Sequence, residues 1–115
     1  MSDTAGTIGF EDFLKVVIRI GTVVEAALNP KARVPAYVLR VDFGELGTKT
    51  SSAQITDNYQ PADLLGKQVV AVVNFEPKRI AGVKSEVLIL GAVNEAEAVV
   101  LLEPGLTVKS GSRIG

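Results

Sequence analysis

Lysine and arginine are the residues of this sequence whose spacing suggests chemistry. Lys31 and Arg33 stand together, and Lys78, Arg79 and Lys84 form a second group. Clustered positive side chains of this kind suit phosphates or an acidic partner. Catalysis has little to work with. Histidine and cysteine are both absent. The usual general base near neutral pH, the commonest metal ligand, thiol nucleophiles and disulfides are therefore excluded. Ser51 and Ser52 have no histidine to activate them, and no spacing supports a serine–lysine pair using Lys49 or Lys84. Neither a Walker-type loop nor a glycine-rich dinucleotide fingerprint is present. Glu95 and Glu97 read as a solvated acidic turn. The expectation is a binding protein rather than an enzyme, with no cofactor and no metal.

The charge is unevenly spread. Twelve basic residues oppose thirteen acids, for a net charge of −1, which argues against a generic polyanion binder. Residues 1–14 hold Asp3, Glu11 and Asp12 and no base. Residues 91–115 set Glu95, Glu97 and Glu103 against Lys109 and Arg113. The middle holds the other ten basic residues and only seven acids. With 115 residues, 47 % of them hydrophobic, the chain reads as one globular domain spanning 1–115. No apolar run approaches the ~20 residues that cross a bilayer. Met1 to Gly9 lacks the basic start and apolar stretch of a signal peptide. A cytoplasmic location is expected.

The basic residues must be positioned by strands. Phe10, Phe13 and Leu14, spaced i, i+3 and i+4, predict a short amphipathic turn of helix. Val16–Glu25 is rich in β-branched residues and predicts a long first strand, with Gly21 as a candidate bulge. Asn29, Pro30 and Pro35 punctuate a loop. Tyr37, Leu39, Val41 and Phe43 alternate with Val38, Arg40 and Asp42, the pattern of a half-buried strand. Gly44–Gly47 is a tight connection, and Thr48–Ala53 a polar third strand. Pro61–Leu65 predicts a short helix closed by Gly66. Gln68–Val73 predicts a strand buried on both faces. Asn74–Lys84 reads as a polar, basic loop, Glu86–Leu90 as a fifth strand, Ala98–Leu102 as a further short strand, and Pro104–Gly105 as a turn.

The fold class is therefore all-β with short helices. The order β-β-β-α-β-β is that of the OB-fold, a five-stranded barrel, here with an N-terminal helical extension over 1–14 and a C-terminal extension over 104–115. OB-folds bind on the face of strands 2 and 3, rimmed by the loops joining strands 1–2 and 4–5. Lys31 and Arg33 map to the first loop, Arg40 and Lys49 to strands 2 and 3, and Lys78, Arg79 and Lys84 to the second loop. Seven of the twelve basic residues thus map to one expected face. Ordinary solvated charge is an equal reading, because Asp42, Glu45 and Glu76 dilute the field. Aromatic stacking partners are few. Tyr37 and Phe43 share the core parity of strand 2, and Phe75 alone opens the basic loop. Recognition of a folded RNA by shape and phosphates fits better than single-strand stacking.

Two stretches resemble a known family. VVIRIG, Val16 to Gly21, resembles the opening strand of tRNA-binding domains. NFEPKRIAGVKSEVL, Asn74 to Leu88, resembles their signature, with Asn74, Pro77, Lys78, Gly82, Lys84 and Ser85 in place. PAYVLRVDFGELGTKTSSAQIT and LLGKQVVAVVNFEPKRIAGVKSEVLILG look very like the free-standing CsaA branch. Glu86-Val87 replaces the Gly-Met of many tRNA-binding domains, and Asn29-Pro30-Lys31-Ala32-Arg33 replaces their His-Pro-x-Ala-Asp; both changes resemble that branch.

The resemblance implies a chaperone-like protein that binds unfolded exported precursors, with structure-specific tRNA binding as the alternative. Its expected RNA- or peptide-binding face comprises Lys31, Arg33, Arg40, Lys49, Asn74, Lys78, Arg79, Lys84 and Ser85. It also implies a homodimer using the N-terminal helix, through Phe10, Phe13 and Leu14, and the C-terminal segment, where Leu106, Val108 and Ile114 offer apolar partners.

Overall fold

A computed structural model describes residues 6–94 and 98–115. Glu95, Glu97 and the start of the N-terminal extension, Asp3 included, lie outside that range. Helix α1 covers Phe10–Leu14. Strands β1 (Ile18–Leu28), β2 (Tyr37–Asp42) and β3 (Thr48–Ala53) follow, with a 3-10 turn at Gly44–Leu46 between the last two. Then come α2 (Pro61–Leu64) and β4 (Gln68–Val72). Two small strands, β5 (Lys78–Ile80) and β6 (Val83–Ser85), precede β7 (Leu88–Ile89), β8 (Gly91–Asn94) and β9 (Ala98–Leu101). Five strands form an antiparallel sheet in the order β3-β2-β1-β4-β7. The sheet curls until β3 meets the chain leaving β6, where Glu86 N donates to Thr50 O at 2.7 Å. This is the five-stranded, nearly closed OB barrel.

Alternation explains the core. Tyr37, Leu39, Val41 and Phe43 are buried, whereas Arg40 is exposed. Val23, Val69 and Ala71 join them, with Leu64 of α2 plugging the barrel. β4 is buried on both faces: Val69 and Ala71 point into the barrel, and Val70 and Val72 are buried on the other side with Ile20. α2 starts with a capping box between Gln60 and Asp63, and Pro61 fits its first turn.

Three sequence expectations shift. The bulge in β1 is not at Gly21; the register slips between Val23 and Glu25, which leaves Val24 unopposed and exposed. Gly21 serves close packing instead. A Cβ there would strike the Val41 side chain and lie 2.6 Å from the Phe43 ring. The basic loop contains a two-stranded hairpin, because Ala81 and Gly82 both take positive φ, 46° and 83°, and so turn the chain in two residues. The fifth strand pairs with β4 only through Leu88 and Ile89, because Glu86 and Val87 bond to β3 instead. The further strand expected at Ala98–Leu102 is present as Ala98–Leu101 and pairs with Gly91–Asn94.

The C-terminal chain folds back on its own barrel. Ile20 N donates to Ser112 O at 2.8 Å, Gly111 N to Ile20 O at 2.7 Å, and Ile114 N to Ile18 O at 2.9 Å. The Gln68 side chain pairs with the backbone of Val108 through both its oxygen and its nitrogen.

Gly21→Ala should keep the fold but lower unfolding free energy by about 1–3 kcal/mol, the usual cost of overpacking, measured by denaturant titration. Val41→Asp should give no cooperative melt by circular dichroism, since a buried unpaired carboxylate costs several kcal/mol against a total near 5–15 kcal/mol.

Candidate RNA- and peptide-binding hairpin

The β5–β6 hairpin stands clear of the barrel, and its register sorts its side chains. Lys78 faces Ser85, Arg79 faces Lys84, and Ile80 faces Val83. Strand alternation puts Lys78, Ile80, Val83 and Ser85 on one face and Arg79 with Lys84 on the other. The first face looks over a groove of about 600 Å³ whose walls include Phe75, Ile80, Val87 and Leu88, with Lys78, Glu76, Glu86 and Ser52 at its polar side. Phe75 is 54 % exposed, and Ile80 and Leu88 are also open to solvent. The second face is basic. Arg79 Nη1 donates to Gly82 O at 3.2 Å, folding the guanidinium back over the turn.

The first loop is locked to this hairpin. Asn29 is 6 % exposed, although it sits in a loop. Its Nδ2 donates to Ala81 O at 3.3 Å, and its Oδ1 accepts from Lys31 N at 3.0 Å. Its backbone N bonds Ala36 O at 2.9 Å. The Lys31 stem consequently lies against Gly82, with Cδ 3.4 Å from where a Cβ would stand. Lys31 and the hairpin tip are thereby one assembly. Sequence reasoning took Asn29 for loop punctuation; the polar residue followed by Pro30 signals a turn, and nothing in the pattern marks a partner 52 positions away.

The other expected residues separate. Arg33 is exposed in the first loop. Arg40 projects outward from β2 and pairs with Glu25 across the ladder, Nε to Oε2 at 3.4 Å, with both side chains more than half exposed. Such a pair contributes little stability, but Glu25 offsets the positive charge of Arg40. Lys49 opposes Val41 in the β2–β3 register, so it shares the inward parity and not the face of Arg40. The outer face of β2 and β3 carries no surplus of positive charge: Val38, Thr50 and Ser52 surround Arg40, and Asp42 follows it on the same side.

Asn74 and Ser85 act on backbone. Asn74 Oδ1 accepts from Val17 N at 2.9 Å, and its Nδ2 donates to Lys15 O at 2.8 Å, which ties the end of α1 to the end of β4. Ser85 Oγ accepts from Ser52 N at 3.0 Å, which ties the hairpin to β3. The α1 stripe is open. Phe10 is 70 % exposed and Leu14 48 %, with Phe13 half-buried beside Phe10 at a ring separation of 6.1 Å. No group of acidic residues among those described could hold a metal ion, and no described helix is long and apolar enough to cross a membrane.

A barrel of this topology with an Asn74–Ser85 motif at its rim defines a class. The chain belongs to the putative tRNA-binding domain family, whose model matches residues 18–113. Within that family it is similar to the free-standing CsaA proteins. The chaperone CsaA of Bacillus anthracis is 58 % identical with a TM-score of 0.91, over 96 % of this chain and 100 % of that one. The CsaA chaperone protein of Picrophilus torridus is 44 % identical with a TM-score of 0.89, over 95 % of this chain and 100 % of that one. The methionine–tRNA ligase of Bacteroides fragilis is 39 % identical over 93 % of this chain. The chain spans only 16 % of the length of that ligase.

Asn29→Ala removes the side-chain bond that joins the first loop to the hairpin and the one that holds Lys31 N within the loop. It should cost about 1–3 kcal/mol and speed amide exchange at residues 78–85, measured by hydrogen exchange on wild type and variant.

Proposed function

We propose that this chain is a non-catalytic, chaperone-like protein of the cytoplasm that binds unfolded exported precursors as a homodimer of OB-folds. One observation carries the reading: the groove beside the hairpin combines exposed Phe75, Ile80 and Leu88 with Lys78 at its edge. An extended unfolded segment offers alternating apolar side chains and free backbone groups, which suit an apolar channel with a polar rim. Burial of those side chains would supply the affinity. The similarity to chaperones over the whole chain supports the same reading. The exposed Phe10 and Leu14 support a second copy as the partner of α1, since a five-residue helix gains nothing from standing alone. In the C-terminal segment Leu106 is 82 % exposed and free to join such an interface, while the backbones of Val108 and Ile114 are tied to their own barrel.

Binding of tRNA is the second reading, and the opposite face of the same hairpin favours it. Arg79 and Lys84 share that face, Lys31 lies against the turn at Gly82, and the family is that of putative tRNA-binding domains. Phosphates would be the ligand, without base-specific contacts. Two faces of one hairpin make the two readings separable.

Salt titrations with tRNA and with a denatured precursor, on wild type, Lys84→Ala and Phe75→Ala, test this. Precursor binding should depend weakly on salt and should weaken with Phe75→Ala, by roughly fivefold to tenfold for one lost apolar anchor. If tRNA binds, its affinity should fall steeply with salt, and Lys84→Ala should lower the salt slope by about 1. Binding of tRNA alone, untouched by Phe75→Ala, sinks the chaperone reading. For the assembly, Phe10→Ser with Leu14→Ser should give monomers by light scattering; a persistent dimer refutes that interface.

A further inference from the structure

The other end of β1, away from the hairpin, carries an unexplained concentration of positive charge. Arg19 faces Arg113 in an isolated antiparallel bridge. The flanking bonds run from Ile20 N to Ser112 O and from Ile114 N to Ile18 O. The two arginines therefore form the non-hydrogen-bonded type of pair, in which side chains stand closest. Like charges directly opposite each other are unfavourable, and no acid among the described residues lies within ion-pair distance of either. Lys109 adds a third unpaired cation. Arg19 Nη1 donates to Gly111 O at 3.0 Å, while its Nε is buried with no partner. A buried unpaired donor is rare and costs stability.

Arg19 and Lys109 border a hollow of about 250 Å³, with Arg113 beside it. Arg19, Lys109, Ser110 and Ser112 line it, over a floor that includes Phe43, with Glu45 as the one acid on its wall. Counting Arg113 beside it, the site holds a net charge of about +2. Its frame is fixed. Gly111 takes φ +92°, and a Cβ there would strike Phe43 O, so only glycine lets the turn lie this close to the barrel. Ser110 Oγ bonds Thr22 Oγ1 at 2.8 Å, anchoring the turn to β1.

We propose that this hollow is an oxyanion-binding site for a phosphoryl group, held by Arg19 and Lys109 in its lining, with Arg113, the bridge partner of Arg19, at its edge. A doubly charged phosphate matches the site's surplus, and arginine's planar fork suits two of its oxygens. The anion relieves the repulsion between the two arginines, which is the feature the rest of the fold does not account for. The site is independent of the hairpin, whose residues lie at the far end of β1. The phosphoryl group could be carried by a small molecule or by an RNA backbone.

Nitrogen-labelled protein titrated with inorganic phosphate at constant ionic strength tests the site, with chloride as control. Saturable shifts confined to the amides of Arg19 and residues 109–113 are expected. Arg113→Gln, an exposed position, should weaken them roughly tenfold, the loss of about one charge-assisted hydrogen bond. Lys109→Gln should weaken them less. A phosphate monoester and a short RNA, compared in parallel, identify the carrier by which of them binds tighter; saturable binding of either at these amides supports the site. No localised shift, or a shift that Arg113→Gln leaves unchanged, overturns it. Shifts confined to residues 78–85 also overturn it, while leaving the hairpin reading intact.

Discussion

β3 and the chain leaving the hairpin share no regular ladder, yet the barrel closes there through four hydrogen bonds. Glu86 N donates to Thr50 O, Thr50 N to Glu86 Oε1 at 3.1 Å, Ser52 N to Ser85 Oγ, and Ser51 Oγ to Val87 O at 3.0 Å. Side chains supply what backbone pairing does not. Ser51 is 1 % exposed on the inward face of β3, a costly place for a hydroxyl unless it is bonded. Its bond to Val87 O meets that requirement and draws β7 toward β3. The seam holds the base of the hairpin, and Asn29 holds its tip. A two-residue turn held at both ends can present its two faces in fixed directions.

That constraint reassigns the motif residues. Asn74 and Ser85 belong to the signature by which the family resemblance is visible in the sequence, yet both bond backbone amides of distant segments. They build the platform. In the proposed reading, ligand contact falls instead to side chains that make no such bond: Phe75, Ile80 and Leu88 in the groove, Lys84 on the basic face, and Lys31 against the turn at Gly82. The polar composition of β3 has the same origin, since a Val at position 51 or an apolar residue at position 85 would leave the seam without its bonds.

Much of this was legible in advance, for identifiable reasons. β2 alternates cleanly, and the polar β3 has the bounds the sequence predicts. The uninterrupted Val and Ala of β4 announce burial on both sides. The failures share a cause: they depend on contacts between residues far apart in sequence. Gly21 looks like a bulge until Phe43 is seen above it. Lys49 looks like a partner of Arg40 until the register sets it opposite Val41. Lys78, Arg79 and Lys84 form one cluster on paper, and the Ala81–Gly82 turn then divides them between two faces. Loop composition marked the segment as polar and basic, but an alanine at positive φ is not a turn signal that a sequence displays.

The claim on which the account rests is that one hairpin offers two chemically different faces. Amide shift mapping tests it directly, with labelled protein titrated first with a denatured precursor segment and then with tRNA. The account predicts that the precursor perturbs Phe75, Ile80, Val87 and Leu88, and that any tRNA response centres on Lys31, Arg79 and Lys84. Perturbation of the same residues by both ligands, or precursor shifts that miss the groove, would contradict it.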